Sequence, residues 1–310
     1  MEPQIELLPL RDNFVSANLK REPRHFAFAF WQTLVDNRLN NCTVSSTPTS
    51  SAIVVLEMGS VSMSDTAPAR FQNYHPWDRN FFLLYVALIW LGICAGFGPD
   101  ILSHIETHAP PYPLIVHFHA PAFVAWLVLL TTQVLLVRAG RADIHRKLGI
   151  VGAALAIVMV MLGPATAIVV DGLQFGTPKS DPAFISVQLT DMLAFAGLVT
   201  GGILWRKDAA THKRFMLLAT LYISDAGFAR WLGQSVMAYL GAGFWAMGAG
   251  LYGASDTLIV GLGIYDLITR RRLHPVYLVC AFWVLANQLT ALSLYFSPDW
   301  KPVALKLIGH

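Results

Sequence analysis

Long apolar runs separated by short polar connections recur from residue 81 onward, and this rhythm predicts the architecture. Seven runs cover residues 81–97, 114–137, 148–170, 184–205, 215 to about 239, 248–268 and 276–296. An α-helix rises about 1.5 Å per residue, so roughly 20 apolar residues cross a hydrocarbon core about 30 Å thick. The expected fold is therefore all-α, a polytopic transmembrane bundle of seven helices. Gly241, Gly243, Gly248, Gly250 and Gly253 blur the boundary between the fifth and sixth runs, which leaves six or eight crossings as alternatives.

The polar connections set an orientation. Arg138, Arg141, Arg146 and Lys147 fill the second, Arg206, Lys207, Lys213 and Arg214 the fourth, and Arg270, Arg271 and Arg272 the sixth. The first and fifth carry no Lys or Arg and the third only Lys179. Basic connections stay in the cytoplasm, so the N-terminus is predicted inside and the C-terminus outside. Trp77, Trp205, Trp245, Tyr277, Tyr295 and Trp300 fall near run ends, where flat side chains with one polar edge settle.

Residues 1–74 read differently, with charges, Asn, Ser, Thr and Pro and only a short apolar run at 26–31. Glu2, Glu6 and Asp12 stand where a signal peptide would be basic. The expected domains are a poorly ordered cytoplasmic extension over 1–74, a seven-helix transmembrane domain over 75–300 and a short external tail over 301–310. Asn41, Cys42 and Thr43 match a glycosylation acceptor, but on the cytoplasmic side. Composition agrees with the membrane reading, since 55% of residues are hydrophobic and 13% charged. The net charge of +3 then reports topology and implies no nucleic-acid partner. Cys42, Cys94 and Cys280 have no shared spacing, so neither a disulfide framework nor a CxxC metal site is indicated.

Ionisable residues inside the runs need a reason, because a charge at the bilayer centre costs about 2.5–3.5 kcal/mol on insertion scales. Helix rise places Asp191 about 10 Å below the outer end of the fourth run and Asp256 about 12 Å below that of the sixth. Asp225 and Arg230 lie about 15 and 22 Å up the fifth, and His117 and His119 near the outer end of the second. All six fall in the outer half, with Gln188 one turn from Asp191. Asp225 and Arg230 are five residues apart and diverge around a regular helix, so Arg230 is expected to pair with Asp191 or Asp256 on a neighbouring helix. Pro121 frees the carbonyl of His117, and local unwinding there would turn His117 and His119 inward. Three carboxylates against one guanidinium require a proton, a cation or a cationic substrate as balance. A purely structural polar core is the competing reading. His104 and His108, on either side of Glu106 and with Asp100 nearby, read as a solvated outer loop or an external metal-accepting patch.

A histidine precedes each run that leaves the inner side: His75, His145, His212 and His274. The words pair up, HPWDRN at 75–80 with HPVYLV at 274–279 and DIHRKLG at 143–149 with ATHKRFM at 210–216, as in a weak parallel repeat of hairpins. Such histidines either anchor and cap helix entries among headgroups or, for His145 and His212, converge to ligate a haem iron or a metal.

Taken together, HFHAPAFVAW (117–126), ADIHRKLGIVG (142–152), THKRFMLLAT (211–220) and YDLITRRRLHPVYL (265–278) resemble a group of bacterial multi-span membrane proteins of uncharacterised activity, over roughly residues 74–300. Some HR and HKR words also look like those of small membrane proteins linked to haem-copper oxidase maturation, and His-bearing spans are a feature of cytochrome b561-like proteins. Here the histidines sit at run ends rather than deep inside paired helices, which departs from the b561 pattern. The resemblance implies a multi-pass protein of the cell membrane, the inner membrane in a Gram-negative bacterium. Its partners would be the lipid bilayer and a second membrane protein, with no oligomeric state implied. Three functions follow. The first is a small-ligand, haem b or transition-metal protein, redox or cofactor-handling, using the His/Asp/Arg cluster. The others are a transporter or sensor with an outward-facing proton or cation site, and a structural or assembly partner. No nucleotide-binding loop, nucleophile elbow or HExxH helix is visible, which argues against a classical enzyme.

Overall fold

The structure, a computed structural model, describes residues 71, 72, 74–178 and 180–310. The expected extension lies outside the described residues up to position 70, as does the Asn41 acceptor. The described residues belong to one compact unit.

Every regular element among the described residues is helical. Helix α1 spans Asp78–Glu106, α2 Leu114–Arg138 and α3 Ala142–Gln174. A 3₁₀ turn at Pro182–Phe184 leads into α4, Ile185–Leu204. After a broken stretch come α8, Phe244–Arg270, and α9, Pro275–Tyr295. These six are long and apolar enough to cross a membrane, as a multi-pass membrane protein requires.

The fifth apolar run is continuous in sequence but not in helix. It divides into α5 (Ala209–Ile223), α6 (Asp225–Phe228), a π-helical turn (Ala229–Gly233) and α7 (Gln234–Leu240). Ser224 marks the first break, where its hydroxyl donates to the Leu221 carbonyl at 2.6 Å. Such back-bonding offers the chain an alternative to the regular ladder. The turn between α7 and α8 uses Gly241 at φ +86° and Gly243 at φ +129°, a conformation costly for other residues. This resolves the blurred boundary: α8 begins at Phe244, four residues before the predicted run.

Helix α4 lies at the centre, packed against α3, α5 and α9, whereas α1 packs on α6 and the π turn. Hydrogen bonds cross between helices from Trp90 to Thr131 (3.0 Å), Trp126 to Thr220 (3.0 Å) and Ser186 to the Ala291 carbonyl (3.0 Å). In membrane bundles such bonds average about 0.6 kcal/mol each. Close backbone approach does more to fix the broken span. A side chain at Gly96 would strike the Gly227 carbonyl, one at Gly227 would lie 2.7 Å from the Gly92 carbonyl oxygen, and one at Gly233 would lie 2.6 Å from that of Gly250.

The expected tail is an eight-residue helix, α10 (Trp300–Leu307), that packs onto the bundle. Ala304 and Ile308 are buried beside Ala167 and Ile185, and the Trp300 indole donates to the Ala183 carbonyl at 3.0 Å. The apolar positions of 300–308 repeat at helical spacing and need a partner, which a free tail would not give them. The last residues of the expected extension are likewise held, as the inner ion network shows.

Candidate functional site

Two buried polar regions stand out, one at the basic ends of the helices and one midway along the broken span. The first joins α1, α5 and α8. Asp78 opens α1 and accepts two bonds from Arg270 Nη2, at 2.8 and 2.7 Å. Lys213 Nζ reaches it at 2.7 Å and the Tyr265 hydroxyl at 2.6 Å. Arg214 makes a two-point pair with Asp266, and Arg270 Nη1 lies 3.5 Å from the same carboxylate. The Arg214 and Asp266 side chains are fully buried. Arg214 also donates to the Ala210 carbonyl at 2.7 Å and Arg270 to the Gln72 carbonyl at 2.9 Å. Phe71 lies beneath the guanidinium groups of Arg214, Arg270 and Arg272, 4.7 to 5.6 Å from ring centroid to cation, and its edge meets His274 at 4.5 Å. Residues 71–78 are thus docked by charge and cation–π contact. None of this network was read as a site from sequence, where its arginines served only as topology markers. The available signals were Asp78 and Asp266 beside basic residues, and Asp266 and Arg270 one helical turn apart.

The two HP words share a local hydrogen bond from the backbone two residues on, but only His274 is a helix N-cap, since Trp77 holds that position in α1. His274 Nδ1 accepts from Val276 N and His75 Nδ1 accepts from Trp77 N, each at 3.2 Å. Burial, and then the Arg214 charge, push the His274 imidazole down to about 4. Asp208, the N-cap of α5, accepts from Ala210 N at 3.1 Å and Thr211 Oγ1 at 2.8 Å. Burial acts against its ionised form, but these bonds outweigh it and hold the carboxyl below its ordinary range.

The central region gathers four of the residues expected from sequence. Asp191 from α4 faces Tyr222 at the end of α5, Asp225 faces Asp191, and Asp256 from α8 lies within electrostatic range of Asp225 and Tyr252. Tyr222 and Tyr252 stack with parallel rings, centroids 6.1 Å apart. Asp256 accepts from Gln288 Nε2 at 2.8 Å. Five oxygens here are buried with no hydrogen bond within 3.5 Å among the described residues, Asp191 Oδ1, Asp225 Oδ2, Tyr222 Oη, Tyr252 Oη and Gln188 Oε1, although Tyr222 faces both Asp191 and Tyr252. Buried polar groups in native proteins are nearly always paired, so five orphans in one place mark a site. The break at Ser224 and the π turn flank Asp225, and π-helical turns inside helices are frequent at functional positions. Tyr222 and Tyr252 escaped the sequence reading because a tyrosine in an apolar run looks like core.

Arg230 lies within electrostatic range of Asp225 but makes its close contacts elsewhere. Its Nε meets Asp100 of α1 at 3.8 Å, its guanidinium lies over the Phe97 ring at 4.4 Å, and Nη1 donates to the Ala226 carbonyl at 2.8 Å. The expected partners Asp191 and Asp256 rested on the phase of a regular helix. The π turn containing Arg230 adds a residue and shifts that phase, turning the side chain toward Asp100, and both partners are largely exposed. Nor does Pro121 unwind α2, which is helical throughout. His117 is exposed with Nδ1 3.2 Å from the Pro113 carbonyl, while His119 is half-buried and stacks on Phe123 at 4.1 Å. The two rings do not converge. His145 and His212 do, with ring centroids 6.1 Å apart.

Among the described residues no group of three or more His, Cys, Asp and Glu is placed to hold a metal. The chain matches no protein-family model, no curated protein and no solved structure.

Proposed function

We propose that the chain is a seven-crossing protein of the cell membrane, N-terminus inside, in which the Asp191–Tyr222–Asp225–Tyr252 cluster takes up a proton or a small monovalent cation. It then acts as a transporter or sensor. The reading rests on one observation: two carboxylates and two tyrosine hydroxyls present partnerless buried oxygens at a helix break. An ionised carboxylate at that depth needs a counter-charge, and the arginine expected to supply it faces Asp100 instead. Membrane ion sites are commonly built at interrupted helices, where freed backbone carbonyls add ligands. The fifth run serves as the seventh crossing when its pieces are taken together, and basic connections then alternate with unbasic ones. Haem or metal at His117 and His119 receives no support, because those rings diverge.

The test is reconstitution into liposomes with a pH-sensitive dye inside and imposed proton, Na⁺ or K⁺ gradients. One ion is expected to move, or to raise the melting temperature of the detergent-purified protein at constant ionic strength. Asp191→Asn and Asp225→Asn should each abolish that response. A protein indifferent to all three ions, or variants with unchanged responses, would sink the proposal.

A further inference from the structure

A second polar cluster lies at the basic end of the bundle, away from the central site. His145 on the first turn of α3 and His212 on the first turn of α5 come from the two paired HR and HKR words. Each donates its backbone N–H to the residue before its helix, Arg141 and Asp208 respectively, so the two rings leave equivalent positions of adjacent hairpins. Their ring planes are perpendicular and their centroids 6.1 Å apart. His212 Nδ1 lies 2.7 Å from the Gly202 carbonyl oxygen. A carbonyl only accepts, so Nδ1 carries the proton and Nε2 of the neutral ring holds a free lone pair. A backbone carbonyl on the second ring nitrogen is the usual orienting partner of a metal-ligating histidine. His145 Nδ1 is buried without a hydrogen-bond partner among the described residues, and so is Gln133 Oε1. Gln133 belongs to the same group, since its Nε2 donates to the His145 carbonyl at 3.2 Å. Three elements thus bring together two imidazoles, one already oriented, and an amide oxygen.

We infer that His145 and His212, with Gln133 Oε1 as an added donor, form a site for a transition-metal ion of the copper class. Two imidazoles on opposite sides of one ion, each nitrogen about 2 Å from it, place their centroids about 6 Å apart. Perpendicular planes are compatible, because rotation about a metal–nitrogen bond leaves that bond unchanged. No carboxylate joins the donors, and Arg146 lies within electrostatic range of His145. The ion must therefore be held by affinity for imidazole rather than by charge, which favours copper, the tightest-binding of the first-row divalent series, over calcium or magnesium.

The experiment uses the full chain in detergent, stripped with chelator and given one equivalent of Cu²⁺ alone. Pulsed electron paramagnetic resonance counts the imidazoles on copper, and two per ion are expected in the unmodified protein. His145→Ala and His212→Ala should each leave one and weaken binding at least tenfold, a loss of about 1.4 kcal/mol. Gln133→Leu should weaken binding with both imidazoles kept, and His117→Ala should change nothing. Fewer than two imidazoles in the unmodified chain overturns the inference, and this count requires no variant to fold. So does a signal that survives both His145→Ala and His212→Ala, which belongs to surface histidines such as His104 and His108.

Discussion

The inner network and the central cluster are both buried, both acidic in part and both built on α8 and the broken span, yet they are opposites in hydrogen bonding. At the basic end each buried carboxylate is fully engaged: Asp78 takes Lys213, Arg270 and Tyr265, and Asp266 takes Arg214 and Arg270. In the centre, Asp191, Asp225, Tyr222 and Tyr252 each keep an oxygen with no hydrogen-bond partner among the described residues. A satisfied network fixes the position of its elements and leaves nothing for a ligand to gain. An unsatisfied one costs stability until something binds. Burial and charge do not distinguish the two regions. The completeness of pairing does.

The largest expected effect lies in the satisfied region. Arg214→Met strands Asp266 and should cost about 3–5 kcal/mol in detergent unfolding, with part recovered in the double variant carrying Asp266→Leu. A loss under about 1 kcal/mol would show that Arg270 alone satisfies Asp266, and the contrast would weaken.

Acid should loosen the same region. His274 is held neutral down to about 4, against 6.5 when free, with Arg214, Lys213, Asp208 and Asp266 as the charges facing it. The unfolded chain therefore binds the proton first, so this contribution to stability is complete above about pH 6.5 and is lost as pH falls toward 4. The Asp208 carboxyl is likewise lowered, so it adds to the same acid loss only as pH falls below its ordinary value near 3.8. His274→Asn keeps a cap acceptor without the titration, and its melting temperature should fall less across that window than that of the unmodified protein. Parallel curves would assign the acid loss elsewhere.

In the unsatisfied region the same kind of change should do little to the fold. Asp225→Asn should alter stability by less than about 1 kcal/mol, or raise it, because it removes a buried carboxylate that forms no ion pair, Arg230 being paired with Asp100. A loss comparable with that of Arg214→Met would make the central cluster a structural core like the inner one.

The smallest effect belongs to Arg230. Its exposed pair with Asp100 should be worth about 0–1 kcal/mol, and a double-variant cycle should find coupling to Asp100 and none to Asp191 or Asp256. Coupling to either of the latter would return Arg230 to the centre and supply the counter-charge that the ion-binding proposal needs from outside.

An ionisable residue that interrupts an apolar run is conspicuous in sequence, which is why Asp191, Asp225, Asp256 and Gln188 are legible there, and the structure brings Asp191 and Asp256 within electrostatic range of Asp225. Sequence reading failed for Arg230 because it assumed a regular helix, and no residue among Ala229–Gly233 announces a π turn. It missed the inner network for a different reason. Arg214 and Arg270 look the same whether they face headgroups or buried carboxylates, and only packing decides which. Geometry splits the repeated histidines: His274 caps α9, His75 binds the backbone just ahead of α1, and His145 and His212 meet.

The near-contact of Gly92 and Gly96 with Gly227 also bears on movement. Where two backbones touch without intervening side chains there is no flexible layer to absorb a shift, so the segment bearing Asp225 and helix α1 must travel as one body. The opening residue of α1 is Asp78, moored in the inner network. A displacement at the helix break would thus be felt as tension on that mooring, and α1 would serve as a connecting rod between the middle of the bundle and its basic end.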